Sequence, residues 1–321
     1  MFQECNSLSW LDVSKFDTSK VESLNSMFRN CSSLTSIDVS NFRTSSVTMM
    51  SYLFANCRSL RYLDVSNFDT SKVLTITNMF DGCNSLRSLD LSNFNAKLFR
   101  DTIYLFRNCE SLTSLDLSNF NTNSIVAMYG MFKGCKNLES IKLDKVDTSA
   151  VTDMSELFSG CEKLKSLDLS KFDTSLVRTM ENMFYSCYAL TSLDLSNFDW
   201  TINKKFNYMF SNCTNLEYIT FPSYKTDNAM DMSFMFSGCS SLTELNLDSL
   251  NTESVTNMKS MFSFCTEIRY LDLSHFNTKK CNYFDNMFEN TINMTVKVNK
   301  NNCDNMITAI QNNVEIITEL F

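Results

Sequence analysis

The chain has 321 residues, of which only five are Gly and one is Pro, against about 12% for the two together in ordinary proteins. A hydrophobic share of 44%, with 27 Phe and 19 Met, supplies ample apolar area for a core and excludes disordered, collagen-like and low-complexity classes. A net charge of −8 argues against sequence-independent nucleic-acid binding, which relies on Lys and Arg to neutralise phosphates. No apolar run approaches the roughly 18 residues needed to span a bilayer.

The chain opens in the middle of a repeat, because Met1-Phe2 matches the interior pair Met27-Phe28. From there Phe recurs at Phe2, Phe28, Phe54, Phe80, Phe106, Phe132, Phe158, Phe184, Phe210, Phe236, Phe262 and Phe288, always 26 residues apart. Eleven of the 13 cysteines keep the same spacing, from Cys5 and Cys31 through Cys239 and Cys265. A fixed period over this length predicts a solenoid rather than separate globules. Residues 1–290 are expected to be eleven 26-residue repeats, the first truncated and without an N-terminal cap, and residues 291–321 a C-terminal cap. A solenoid that starts uncovered is expected either to be a fragment of a longer chain or to dock its open end on another subunit.

Each repeat carries two hydrophobic periods. Ile37 and Val39 alternate with Ser36, Asp38 and Ser40, which predicts a half-buried strand facing inward through Ile37 and Val39. Val47, Met50, Phe54 and Cys57 follow at helical spacing, which predicts a short helix, with Thr44, Ser45 and Ser46 as its start. The position just before the Cys column holds Asn30, Asn56, Gly82, Asn108, Gly134, Gly160, Ser186, Asn212, Gly238, Phe264 and Asn290. Asn and Gly are the residues that most readily take the left-handed conformation ending a helix, so Phe264 is expected to be strained or differently capped.

Stacked strands want a spacing of about 4.8 Å and packed helices about 8–10 Å. Curvature reconciles the two. The expected fold is therefore an α/β solenoid, a curved right-handed superhelix with a parallel β-sheet on its concave side and short helices on its convex side. The coil Tyr218–Lys225 departs from the pattern and holds the sole proline, Pro222, so a bend or bulge is expected there. Beyond it, the C-terminal remainder reads as a strand at Thr295–Val298, a helix near Asp304–Asn312 and a strand at Val314–Thr318.

The cysteine column lacks the paired C-x2-C spacing of zinc sites. Buried thiols packing as small apolar groups are the leading expectation, with disulfides and soft-metal binding as the alternatives and Cys281 and Cys303 as the less certain pair. Asp12, Asp38, Asp64, Asp90, Asp116, Asp168, Asp194 and Asp272 form an acidic column beside the inward Leu. Hydrogen bonding to backbone or to neighbouring Ser is expected of it, with a cation or basic-ligand site as the alternative. Stacked like charges are expected to raise some of these pKa values and to make ligand binding acid-sensitive. The repetition of the column singles out no catalytic pair, and the one histidine, His275, falls at an exposed turn. With no phosphate-binding or metalloprotease motif present, no catalytic residue, metal or cofactor is expected.

The column before the inward Leu varies most: Trp10, Ser36, Tyr62, Ser88, Ser114, Ser140, Ser166, Ser192, Tyr218, Glu244 and Tyr270. Core packing does not require large aromatics that project outward, whereas recognition surfaces favour them. Two candidate ligand-binding clusters follow, Trp10 and Asp12 with Tyr62 and Asp64, and Tyr218 and Glu244 with Tyr270 and Asp272.

The stretches L-D-L-S-N-F at Leu89–Phe94, L-D-V-S-N-F-D-T-S-K-V at Leu63–Val73 and M-F-K-G-C at Met131–Cys135 resemble the BspA-like leucine-rich repeat surface proteins of bacteria and some protozoan parasites. The resemblance covers about residues 1–290. It implies a leucine-rich-repeat-type solenoid displayed on a cell surface or secreted, with a part in adhesion to host or neighbouring-cell proteins. The N-terminal residues have no signal-peptide pattern, so export is expected to depend on sequence outside this stretch. The leading expectation is a non-enzymatic adhesion module that recognises a protein or glycan through its concave face or rims. The alternative is a structural protein that associates end to end through its open coil.

Overall fold

The computed structural model describes residues 1–120, 122–310 and 314–319. They form two compact units, one of Met1–Val151 with Glu156–Phe172 and one of Thr152–Ser155 with Asp173–Phe321. Each unit is a parallel-strand solenoid whose coils bond to one another about one repeat apart, as when the Phe28 N–H donates to the Leu53 carbonyl at 2.9 Å.

Alternation in the first half of the repeat places Ile37 and Val39 in the core. In the first unit β1 (Ser114–Asp116) pairs in parallel with β2 (Ser140–Lys142), Leu115 opposite Ile141. In the second, β3 (Ser192–Asp194) pairs with β4 (Tyr218–Thr220), and β5 (Tyr270–Leu273), β6 (Thr295–Asn299) and β7 (Glu315–Glu319) form a three-stranded parallel sheet. In other coils the strand shrinks to single rungs, such as the bridge between Ser36 and Tyr62.

Each strand exits through a tight turn closed by the acidic column. Asp38 Oδ1 accepts from the Ser40 N–H at 2.9 Å, and Asp12, Asp64, Asp90, Asp116, Asp168, Asp194 and Asp272 do the same two residues ahead. Asn246 makes the same bond to the Asp248 N–H at 2.9 Å. The hydroxyl and then the N–H of Ser14, Ser40 and Ser66 hold the Asp12, Asp38 and Asp64 carboxyls below the usual carboxylate range. Repulsion from Asp64 and Asp12 acts on Asp38 but is the smaller effect. The expected upward shift from stacked like charges is thus reversed, because each carboxylate has its own donors.

The second half of the repeat is not helical, which corrects the expected helices on the far side. Residues Leu24 to Cys31 show what replaces them. The N–H groups of Leu24, Ser26, Phe28 and Asn30 donate to the next coil, at Met49, Ser51, Leu53 and Ala55. Those of Met27, Arg29 and Cys31 donate three residues back, to Leu24, Ser26 and Phe28. Every second amide therefore closes a local turn while its neighbours build a ladder between coils. An α-helix would turn all these amides inward, and its diameter of about 10 Å does not fit coils about 4.8 Å apart. A second ladder begins this half: Ser23, Met49 and Thr75 are bridged in the first unit, and Asp153, Thr179, Lys205, Asp231, Asn257 and Tyr283 in the second.

Three side-chain columns fill the space between coils. Phe rings stack nearly parallel, with centroids 5.9, 5.5, 6.1, 5.8, 5.8 and 5.5 Å apart from Phe2 to Phe158, and 5.8, 5.5, 5.6 and 5.5 Å apart from Phe184 to Phe288. Cysteine thiols donate to the Phe carbonyl of the preceding coil, Cys57 Sγ to Phe28 O at 3.1 Å and Cys83 Sγ to Phe54 O at 3.2 Å. All thirteen cysteines are free thiols. Burial pushes the thiol pKa of Cys57, Cys135, Cys213 and Cys265 up to about 12 and that of Cys281 up to about 11. The Thr before the expected helix is buried rather than capping: Thr44 Oγ1 donates to the Asp69 carbonyl at 3.0 Å and accepts from the Asp69 N–H at 2.7 Å.

The position just before the Cys column takes a left-handed backbone, with φ of 61° at Asn30, 59° at Asn56 and 70° at Gly82. Phe264 takes it too, at 60°, and so bears the strain of a bulky residue there rather than a different cap. Asn side chains also lean across coils: Asn56 Nδ2 donates to Asn30 Oδ1 at 2.8 Å. That run ends at Gly82, where a Cβ would collide with Asn56 Oδ1. A second left-handed column, including Ser26, Tyr52, Asn78, Tyr104, Tyr208 and Phe234, has no counterpart in the sequence reading.

The coil Tyr218–Lys225 is irregular, as expected. Thr220 replaces the Asp and Pro222, which has no N–H, replaces the Ser, so acceptor and donor of the strand-exit turn vanish together. Tyr224, 52% exposed, stands where Phe198 and Phe276 are buried in other coils of the unit. Trp200, fully buried in the Thr column, fills the interior instead, with its ring 5.5 Å from Phe221 and 5.2 Å from Phe206. At the far end, helix α1 (Lys300–Ile310) follows β6 directly, kinked at Cys303. It begins ahead of the expected Asp304, and its expected end at Asn312 lies outside the described residues.

Three outcomes are expected. Thr44→Val strands both Asp69 backbone groups and should lower urea-unfolding stability by about 1–3 kcal/mol, while Thr44→Ser, which keeps the hydroxyl, should recover most of it. With a thiol reagent under native conditions, half-buried Cys5 should react first and the buried column only as the protein unfolds. Because the carboxyls of Asp12, Asp38, Asp64, Asp116, Asp168, Asp194 and Asp272 titrate lower when folded than at about 3.9 unfolded, their stabilisation is complete above that value and is lost as pH falls through the folded values. The thermal midpoint should hold from neutral pH down to about 5 and drop below about 4.

Candidate binding face

The residues that alternate with the inward Leu project from the strand face. In the first unit they line one open groove of about 850 Å3, bordered by Trp10, Asp12, Ser36, Asp38, Tyr62, Asp64, Ser88 and Asp90. Trp10 is 69% exposed and Tyr62 62% exposed, far more than aromatics engaged in packing. Ser36, one coil from each, leaves a gap between them. All four residues of the first expected cluster therefore meet in this groove. Ser36, Asp38 and Asp90 join them, although sequence reasoning passed over them as ordinary members of their columns.

The second cluster lies on the strand face of the second unit. Tyr218 and Tyr270 are 56% and 50% exposed, and Tyr218 lies in β4 opposite Ser192. Asp272 differs from the acids of the first groove because Lys297 Nζ donates to its Oδ2 at 3.1 Å. Burial pushes its pKa up, but Ser274 and Lys297 outweigh that and leave it low. A cavity of about 470 Å3 opens beside this cluster at the irregular coil, lined by residues such as Phe221, Pro222, Lys225 and Asp248, with neither Tyr218 nor Tyr270 among them. The structure thus assembles the first cluster around one concavity and leaves the second as exposed rings.

Other polar residues have structural partners. His275 is exposed at its turn, and its Nε2 lies 2.9 Å from the Leu247 carbonyl. Asn41 and Asn67, in the same column, also reach backbone carbonyls of the preceding coil. Lys142, which interrupts the acidic column, donates to Asp116 Oδ2 at 2.7 Å. Among the described residues no three His, Cys, Asp or Glu side chains converge as metal ligands, and no helix is long and apolar enough to cross a membrane.

No curated protein matches the chain. Among solved structures it is similar to a chain described as "Crystal structure of TLR13-ssRNA13 complex", with 14% identity and a TM-score of 0.24 over 90% of this chain and 42% of that one. The chain thus spans less than half the length of that relative. The repeat itself places the chain more firmly. Three overlapping stretches, residues 1–115, 100–221 and 204–319, match one family profile, so from its first coil to its last strand the chain belongs to the family described as "Mycoplasma protein of unknown function, DUF285".

Proposed function

We propose that the chain is the binding region of a surface-displayed or secreted adhesion protein, which holds a protein or glycan partner on its strand face without chemical turnover. The observation that carries this reading is the groove between Trp10 and Tyr62, where two large rings stand exposed at positions that most coils fill with Ser. A rigid backbone presents them. Each neighbouring Asp is fixed by its turn, so binding orders little that is not already ordered. The resemblance to BspA-like surface proteins supports the same role and is the basis for proposing surface display. Tyr218, Glu244 and Tyr270 offer a second contact area in the other unit.

The test is a binding survey against host surface proteins and a glycan array, using the chain itself, a Trp10→Ser/Tyr62→Ser variant and a Tyr218→Ser/Glu244→Ser/Tyr270→Ser variant. Removing exposed aromatic anchors should weaken binding by about tenfold or more and leave the thermal midpoint unchanged, since substitutions at such positions alter stability by about 0.5 kcal/mol or less. A partner bound equally well by all three proteins would show that the strand face is not the binding surface.

A further inference from the structure

We propose that the groove of the first unit takes an extended peptide segment carrying Arg or Lys at alternate positions, with one cation seated over Ser36 between Trp10 and Tyr62. This deepens the reading of the strand face as a binding surface and rests on it. Coils about 4.8 Å apart put the two aromatic positions about 10 Å from each other. A cation midway between them lies within the roughly 6 Å over which a ring face attracts positive charge. Beside the rings, Asp12, Asp38, Asp64 and Asp90 stand on successive coils, a row about 14 Å long. Side chains on one face of an extended peptide recur about every 6.8 Å, so cations at alternate residues cover this row.

Charge sets this groove apart from the stretches around Asp116 and Asp272. Its lining contains four carboxylates and neither Lys nor Arg. Arg61 and Arg87, adjacent to lining residues in sequence, are not part of it, and Lys15, outside the lining too, acts on Asp12 only weakly through space. Elsewhere the chain supplies its own counter-charge, Lys142 to Asp116 and Lys297 to Asp272. A neutral sugar could stack on the rings and donate hydroxyl hydrogen bonds to the carboxylates, but it brings no positive charge to a row of four of them. A basic segment satisfies both features at once.

The chain itself provides the neutral variant. Asn246 closes the same strand-exit turn with its amide oxygen, so Asp12→Asn/Asp38→Asn/Asp64→Asn/Asp90→Asn removes the charge and keeps the turns. Fluorescence anisotropy with a labelled Arg-Ser-Arg-Ser-Arg-Ser peptide should show saturable binding that weakens as salt is raised from about 50 to about 500 mM. The Asn variant and the Trp10→Ser/Tyr62→Ser variant should each lose about tenfold or more in affinity. A Gln-for-Arg peptide and a neutral hexasaccharide should bind no better than to those variants. Equal affinity for the Arg and Gln peptides, or full affinity in the Asn variant, would overturn the proposal. Binding of the hexasaccharide that depends on Trp10 and Tyr62, without binding of the Arg peptide, would overturn it while sparing the adhesion reading. If the groove variants and the Tyr218→Ser/Glu244→Ser/Tyr270→Ser variant all match the parent against every partner in the wider survey, both fall.

Discussion

Parallel coils joined by backbone hydrogen bonds sit about 4.8 Å apart, and every other feature of the chain is an accommodation to that distance. A side-chain column must hold groups that tolerate a copy of themselves one rung away. Flat Phe rings meet that condition by offset stacking, and their centroids 5.5–6.1 Å apart are slightly wider than the rung. A thiol, small and able to donate to a carbonyl of the preceding coil, meets it too. A helix does not. The chain therefore covers its second side with consecutive turns, in which alternate amides stay free to reach the next coil.

The same distance governs the polar interior. A Thr hydroxyl that both donates to and accepts from the backbone one coil on satisfies buried groups that a helix would otherwise have paired internally. Stability in such a stack is held in nearest-neighbour contacts, so a local defect needs a local remedy. The coil Tyr218–Lys225 shows one. The strand-exit turn is lost and the inward Phe becomes an outward Tyr, and the indole of Trp200 from the preceding coil closes the space. Its Nε1 has no partner among the described residues, a polar cost accepted to fill volume.

The period, the inward Ile and Val, the left-handed Asn column and the irregular coil were all legible in the sequence because each depends on residue type at one position. The helix was misread because apolar residues three and four apart mark any segment that folds back on itself every three residues, whether through helical or successive turn hydrogen bonds. Partners one coil away, absent from a local window, decide between the two. The Thr was misassigned for the same reason. The Ser26 and Tyr52 column escaped because Tyr, Phe and Glu do not advertise a left-handed backbone. Within the candidate site, departures from the consensus pointed to Trp10 and Tyr62, while the carboxylates that share their groove were hidden by being repeated everywhere.

An unbroken spacing of 26 residues makes the regular coils, those of Trp200 and Tyr218–Lys225 apart, interchangeable with one another along their backbone ladders. Recombination between coding repeats that adds or removes a whole coil preserves the Phe stack, the thiol ladder and both backbone ladders, because each contact joins equivalent positions of adjacent coils. It changes only which variable residues become neighbours. Losing the coil that carries Ser36 would bring Trp10 directly beside Tyr62 and close the gap between them, and duplicating it would widen the gap by one rung. A lineage of such chains can therefore remodel its surface grooves by changing coil number and order, with no new solution to the packing of its core.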